Sequence, residues 1–414
     1  MTDREWFDLN NQIAGRVTRR WIPLAVVGGA GLLALLAVAV FDMARAWQAY
    51  WINYLFWMGL AQAGVILAAL VYFTRGQWGG ALVRLGLLQV AFLPVAVLLY
   101  VGIIIGAWFV LPWLHEDVHG KQWWLNIWFF LLRDSLAILA LAATSLAFAY
   151  YMLRPEIGAL REAGDTPYPA WLTRGWQGVR AERLRSERIL LWLVPVLIIL
   201  YAAVYTLLGF DMVMSLDPHW YSTLFGAYFF ITTMYMGIAA LVIVATIVRR
   251  RLAVEPHFAS AQFHDLGKLM FAFCMLSGDF LWSQFLVIWY GDLPEENRFL
   301  LDRIRTQPWR TLSFIVLFGG FVLPFLILLN RRVKQIPLTL AAVALLILAV
   351  GFTERTLMIL PSLPVGRIVP FVPEILISLG FAALYAMALL WALRHAPLVP
   401  AIPPHKRKQS GMLH

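Results

Sequence analysis

Asp279 lies twelve residues into a largely apolar stretch, 267–290. A charge at the centre of a bilayer costs about 2.5–3.5 kcal/mol on insertion scales, so a carboxyl there needs a physical reason. Lys268, Met275, Asp279, Ser283 and Tyr290 recur at roughly helical spacing and share one face, with His264 and Asp265 at one mouth. This pattern suits an inner half-channel in which His264 and Asp265 admit protons that rise to Asp279. It suits equally a carboxyl that hydrogen-bonds to a neighbouring helix. Arg133-Asp134, Glu354-Arg355 and Glu374 lie in or just inside other apolar stretches. Together they could line an outward-facing cavity, with Asp134, Glu354 and Glu374 as a proton exit; the alternative is an ion-pair network that fixes helix packing. Asp217-Pro218-His219-Trp220-Tyr221 combines a proton acceptor, a carbonyl partner and flat apolar walls, the parts a quinone pocket needs, with Arg133 as a further candidate. The same five residues also describe an interfacial aromatic belt with a capping Asp before a first-turn Pro.

All eight histidines (His115, His119, His219, His257, His264, His395, His405, His414) fall outside the apolar stretches, and Cys274 is the single cysteine. A b-type haem needs histidines within its helices, and an iron–sulfur cluster needs several thiolates. No metal site is therefore expected, and redox work would go through a quinone, protons or partner proteins.

Ten stretches, 21–41, 51–73, 85–111, 123–153, 189–210, 221–248, 267–290, 311–330, 337–360 and 371–393, are long and apolar enough to cross a bilayer. The expected fold is an all-α integral membrane protein of about ten transmembrane helices. Three parts are expected: a cytoplasmic amphipathic N-terminus (1–20), the transmembrane domain (21–393) and a basic cytoplasmic tail (394–414). Residues 21–41 read as a retained first helix, because the polar leader before them is long for a signal peptide. Roughly 24 of the 33 lysines and arginines fall in alternate connections and at the termini, which predicts both termini in the cytoplasm. The charge of +10 thus reports topology and contact with anionic lipid, and nucleic acid is not an expected partner. Trp6, Phe7, Leu9 and Ile13 suggest a helix lying flat on the membrane. The polar stretch 154–188 reads as a loop, with 181–188 extending the fifth span into water. The connection 291–310, where Asp292, Glu295, Glu296 and Asp302 balance Arg298, Arg303, Arg305 and Arg310, is the expected outer docking surface.

Three segments carry a resemblance: residues 210–230 (FDMVMSLDPHWYSTLFGAYFF), 264–273 (HDLGKLMFAF) and 283–296 (SQFLVIWYGDLPEE). Leu125-Asn126 with Phe129-Phe130 and Arg133, and Gly351 with Glu354-Arg355 and Pro361, fit the same pattern. Together they resemble the ActF-type membrane subunit of alternative complex III, within the NrfD/PsrC family of quinol-oxidoreductase membrane subunits. The resemblance covers most of residues 120–380; it departs at Ser277-Gly278-Asp279 and at His264, where relatives are expected to carry aromatics and Asn. It implies two NrfD-like four-helix bundles plus extra helices, in the bacterial inner membrane. It also implies a subunit without redox centres of its own in a quinol:cytochrome c or terminal-oxidase oxidoreductase, aiding assembly and proton translocation. Haem c and iron–sulfur clusters would sit on partners: a homologous NrfD-like membrane subunit, an iron–sulfur subunit, c-type cytochromes and a terminal oxidase. Rival readings are a quinol site of its own near the outer face, a secondary transporter with Pro195 and Pro324 interrupting helices, and a structural anchor.

Overall fold

A computed structural model describes residues 3–17, 21–76, 78–116, 118, 120–164, 166–363 and 372–400. The expectations for His119 and for residues 401–414 of the tail lie outside the described residues, as do the side chains of Glu295 and Glu296. In chain order the helices are α1 (Asp3–Arg16), α2 (Trp21–Phe41), α3 (Met43–Phe73), α4 (Gly80–Leu88), α5 (Leu93–Val110), α6 (Ile127–Ala163), α7 (Val179–Met212) and α8 (Phe225–Arg251). They continue as α9 (Ser260–Gly291), α10 (Pro294–Arg305), α11 (Trp309–Ile315), α12 (Leu323–Leu329), α13 (Arg331–Gln335), α14 (Pro337–Ile359) and α15 (Val372–His395). A 3-10 turn, Gln89–Phe92, joins α4 to α5, and a π-helical stretch, Val316–Val322, joins α11 to α12. Among the described residues there is no strand, and ten helical spans are long and apolar enough to cross a membrane. The chain is an all-α, multi-pass membrane protein, because hydrocarbon offers backbone amides no partner outside their own helix.

The helices pack as two four-helix groups and a pair. α3, α4–α5, α6 and α7 form the first group, and α8, α9, α11–α12 and α14 the second. Contacts of α3 and α7 with α8 join them, and α2 and α15 lie against each other beside α3. Arg84, Arg249–Arg251 and the cations of α13 mark one end of the bundle, here termed the basic end; Trp124, Asp211 and α10 mark the far end.

The sorting of side chains follows from lipid as the outer solvent. Most of the apolar length of α3 and α8 is buried within the chain, 89% and 78%, whereas that of α2 and of the α11–α12 span is buried to only 17% and 11% and is more apolar. Leu–lipid contact is as favourable as Leu–Leu contact, so the interior takes the aromatic, amide and hydroxyl side chains. α9 breaks this trend: it is the least apolar of the ten spans, yet only 17% of its apolar length is buried.

Several expectations change. Most of 154–188 is not loop: α6 runs on to Ala163 and α7 begins at Val179. Arg154 locks the two extensions together, donating to Glu182 at 2.7 and 2.9 Å and to the carbonyls of Leu172 and Arg174. The apolar face of α1 is covered by the chain itself. Trp6 and Ile13 are buried, Trp6 Nε1 donates to the Val399 carbonyl at 2.8 Å, and Asn10 brackets Val399 through both amide atoms. The 291–310 connection contains α10, whose Arg303 turns inward to cap the end of α14 by donating to the carbonyls of Leu357 and Met358. Burial pulls that guanidinium down to about 9. Pro195 sits inside an unbroken α7 and Pro324 follows the π-stretch within a continuous span, so neither unwinds its helix.

The α2–α15 pair rests on backbone contact: a Cβ built on Gly31 would lie 2.5 Å from Gly380 Cα, and one on Gly380 2.9 Å from Gly31 Cα. We expect Gly380→Val to separate the two helices at a cost of about 1–3 kcal/mol. Thermal unfolding in detergent will read it as a lowered Tm, whereas Gly29→Val, with open space around its Cβ, will leave the Tm in place.

Candidate functional site: a buried polar track through the first bundle

Asp134, Ser145 and Glu156 are spaced eleven apart on α6. Eleven residues are close to three turns, so the three share a face and stand about 33 Å apart from first to last. That face turns inward, and each residue meets a polar group from another helix.

At the far end the partner is Asp211, near the C-terminus of α7. Its Oδ2 accepts from Arg133 Nε at 2.7 Å and lies 2.6 Å from Nη2, and its Oδ1 accepts from Trp124 Nε1 at 2.9 Å. The Arg133 guanidinium is held over the rings of Trp124 and Phe129, 4.0 and 4.5 Å from their centroids. Asp134 is fully buried beside Asp211, and neither of its carboxyl oxygens meets an amide, hydroxyl or cationic donor among the described residues. Two carboxyls thus share one guanidinium. Arg133 pairs directly with Asp211, while Asp134 meets only the Asp211 carboxyl beside it. The buried hydroxyl of Tyr54, also without a hydrogen-bond partner, faces the same region, its ring 6.1 Å from that of Tyr100.

Halfway along, Gln62 Nε2 of α3 donates to Ser145 Oγ at 2.9 Å, leaving Gln62 Oε1 free. Gln89 follows, fully buried with both amide atoms unpaired, against Gly64. A Cβ at Gly64 would stand 2.4 Å from Gln89 Oε1, so glycine there is what admits the amide. At the basic end Arg84 Nη2 donates to Glu156 Oε1 at 2.6 Å, again leaving one buried atom on each side chain, Arg84 Nη1 and Glu156 Oε2, without a partner. Buried polar atoms left over by protein contacts are the places where internal water sits.

Glu354 and Arg355 belong to a separate cluster in the second bundle. Arg355 Nη2 donates to the hydroxyls of Thr232 and Thr233, each at 2.9 Å, and the guanidinium lies 4.1 Å above the Phe229 ring. Glu354 accepts from the Tyr228 hydroxyl and lines a cavity of about 30 Å³, room for one water, with Tyr235, Ser277 and Gly351. Glu374 is elsewhere again, paired with Arg45 at 2.5 Å. The five residues proposed from sequence as one outward cavity therefore occupy three sites.

Asp217, Trp220 and Tyr221 line a far-end cavity of about 230 Å³ with Lys121, Trp123 and Trp124. Lys121 Nζ donates to the Pro218 carbonyl at 2.5 Å. Trp220 is itself locked in packing, stacked 3.7 Å from Phe299, while His219 is exposed and does not line this cavity. On α9, Asp265 pairs with Lys268 at 2.8 Å, and His264 is half-buried. Ala272, Met275 and Leu276 are exposed between this mouth and Asp279, so no hydrogen-bonded route joins them among the described residues. Asp279 is exposed as well. Among the described residues no group of three His, Cys, Asp or Glu gathers to hold a metal ion.

Sequence reasoning missed Asp211, Gln62, Ser145, Gln89, Arg84 and Glu156 as site residues. The eleven-residue spacing on α6 was legible; the amides carried no signal, because a lone Gln in an apolar stretch announces nothing about its neighbour. Compared with models of known protein families and with curated proteins, the chain matches none.

Removing Arg133 leaves Asp211 buried without its cation, and we expect Arg133→Ala to cost about 3–5 kcal/mol. The double variant Arg133→Ala/Asp211→Asn will recover part of that loss; unfolding of both proteins in detergent measures the difference.

Proposed function

We propose that this chain is a membrane subunit without redox centres of its own that moves protons for a quinol-oxidising complex of the alternative complex III type. The observation that carries the proton role is the track from Asp134 to Glu156. Polar groups buried at intervals across about 33 Å of bundle, several with unsatisfied atoms, supply the stations between which internal water relays protons. Its stations run from Asp134 and Tyr54 through Gln62, Ser145 and Gln89 to the Arg84–Glu156 pair. Arg133 holds Asp211 and so frees Asp134 as the exchanging carboxyl. A transmembrane span bearing buried ionisable groups at both ends of such a series is a pathway arrangement.

The complex as a whole is proposed on the resemblance of residues 210–230, 264–273 and 283–296. The chain would pack against a homologous membrane subunit and near an iron–sulfur subunit, c-type cytochromes and a terminal oxidase, with both termini on the cytoplasmic side of a bacterial inner membrane. A second reading, a quinol site of this chain's own, draws on the 230 Å³ aromatic cavity with Lys121 and Asp217 at its wall. A photoreactive quinone that labels Trp124 or Tyr221 supports it, and labelling confined to other subunits removes it.

The proton role is tested on the complex purified in mild detergent from its native membranes and placed in liposomes with a trapped pH dye. Asp134→Asn and Gln62→Leu are expected to slow proton translocation by about tenfold or more while quinol oxidation and haem content hold. Wild-type pumping by both variants would sink the track. A colourless preparation without partner subunits would remove the oxidoreductase setting.

A further inference from the structure

α9 carries an exposed stripe, Lys268, Ala272, Met275, Asp279 and Trp282, at alternating spacings of four and three. Such spacing keeps the five residues on one helix face, the seam by which one helix packs on another. Lys268 and Tyr290 are 22 positions apart, about 33 Å, so Asp279 stands midway across the hydrocarbon. No hydrogen bond or ion pair reaches Asp279 from any described residue. The other exposed spans behave differently. α2 and α11–α12 show lipid-type faces of Leu, Ile, Val and Phe, such as Leu33, Leu36, Phe318 and Leu326. Only α9 combines low burial with the lowest apolarity of the ten spans.

We infer that the α9 stripe is an interface with a membrane-spanning helix of a different protein, one that presents a lysine or arginine to Asp279 at mid-bilayer depth. Lipid tails offer a carboxyl group no hydrogen-bond partner, so lipid leaves Asp279 unanswered. A second copy docked through the same stripe would set its own Asp279 at the same depth, acid against acid with no basic residue between them. A lysine or arginine on the incoming helix supplies the missing donors, and Ala272 allows close approach on the basic-end side. The conclusion rests on the geometry of α9 alone and holds whether or not the first bundle carries protons.

The test uses the full-length protein in its native membranes, with a photo-crosslinking amino acid at Met275 or Trp282 and, as a lipid-facing control, at Leu36. The α9 positions are expected to give one discrete adduct with an integral membrane protein other than this chain, joined at a helix that contains Lys or Arg. Asp279→Lys will lower its yield by about tenfold. The matching Lys→Asp or Arg→Asp change in the partner will restore it. Asp279 makes no contact within the chain, so an unchanged elution volume and Tm will show that the variant is folded. Lipid adducts alone, an adduct between two copies, a joined helix without a basic residue, or a yield indifferent to Asp279→Lys would each overturn the inference.

Discussion

In hydrocarbon an apolar side chain gains nothing by turning inward, and this single condition arranges the rest of the molecule. Water sorts residues by expelling the apolar ones, but lipid receives them as well as a protein core does. What lipid cannot do is hydrogen-bond, neutralise a charge, or fill the narrow space where two backbones touch. The interior of this chain is accordingly built from those three things. α2 and α15 meet at Gly31 and Gly380; Arg154 ties α6 to α7 through Glu182; Arg355 is buried among the hydroxyls of α8. Two of the most apolar spans, α2 and α11–α12, lie at the periphery.

The polar track and the α9 stripe are two consequences of that condition. Along α6 the polar residues turn inward and meet imperfect partners, leaving atoms that protein contacts do not satisfy. A structural network would tend toward completion, since each unsatisfied buried group costs free energy. The incomplete pairs along α6 are what the proposed proton role draws on. On α9 the polar residue turns outward, and no neighbour within the chain answers it. One carboxyl is thus the basis of the proposed proton role and the other of the proposed contact with a partner, although the sequence presents both simply as an Asp in an apolar helix.

The two arginines in spans show how geometry separates like from like. Arg133 is clamped by an acid and two aromatic faces, so its charge is spent on Asp211. Arg355 has Glu354 next to it in sequence, but the two side chains point to different neighbours on α8, Thr232 and Thr233 for one and Tyr228 for the other. Adjacent residues on a helix diverge by about 100°, so proximity along the chain is a poor guide to pairing.

Read alone, the sequence determined the class of fold, the existence of ten spans and most of their limits, because apolar length and the scarcity of charge depend on local composition. It also marked the residues that hydrocarbon makes expensive: Arg133, Asp134, Asp279, Glu354 and Arg355. It did not determine which of them belong together. Asp134, Glu354 and Glu374 looked like one cavity and proved to be three sites, and Asp211 at a helix end looked like loop. Gln62, Gln89 and Gly64 were silent. Only tertiary structure decided these, since facing and pairing depend on the rotation of each helix about its axis, and packing between distant segments sets that rotation.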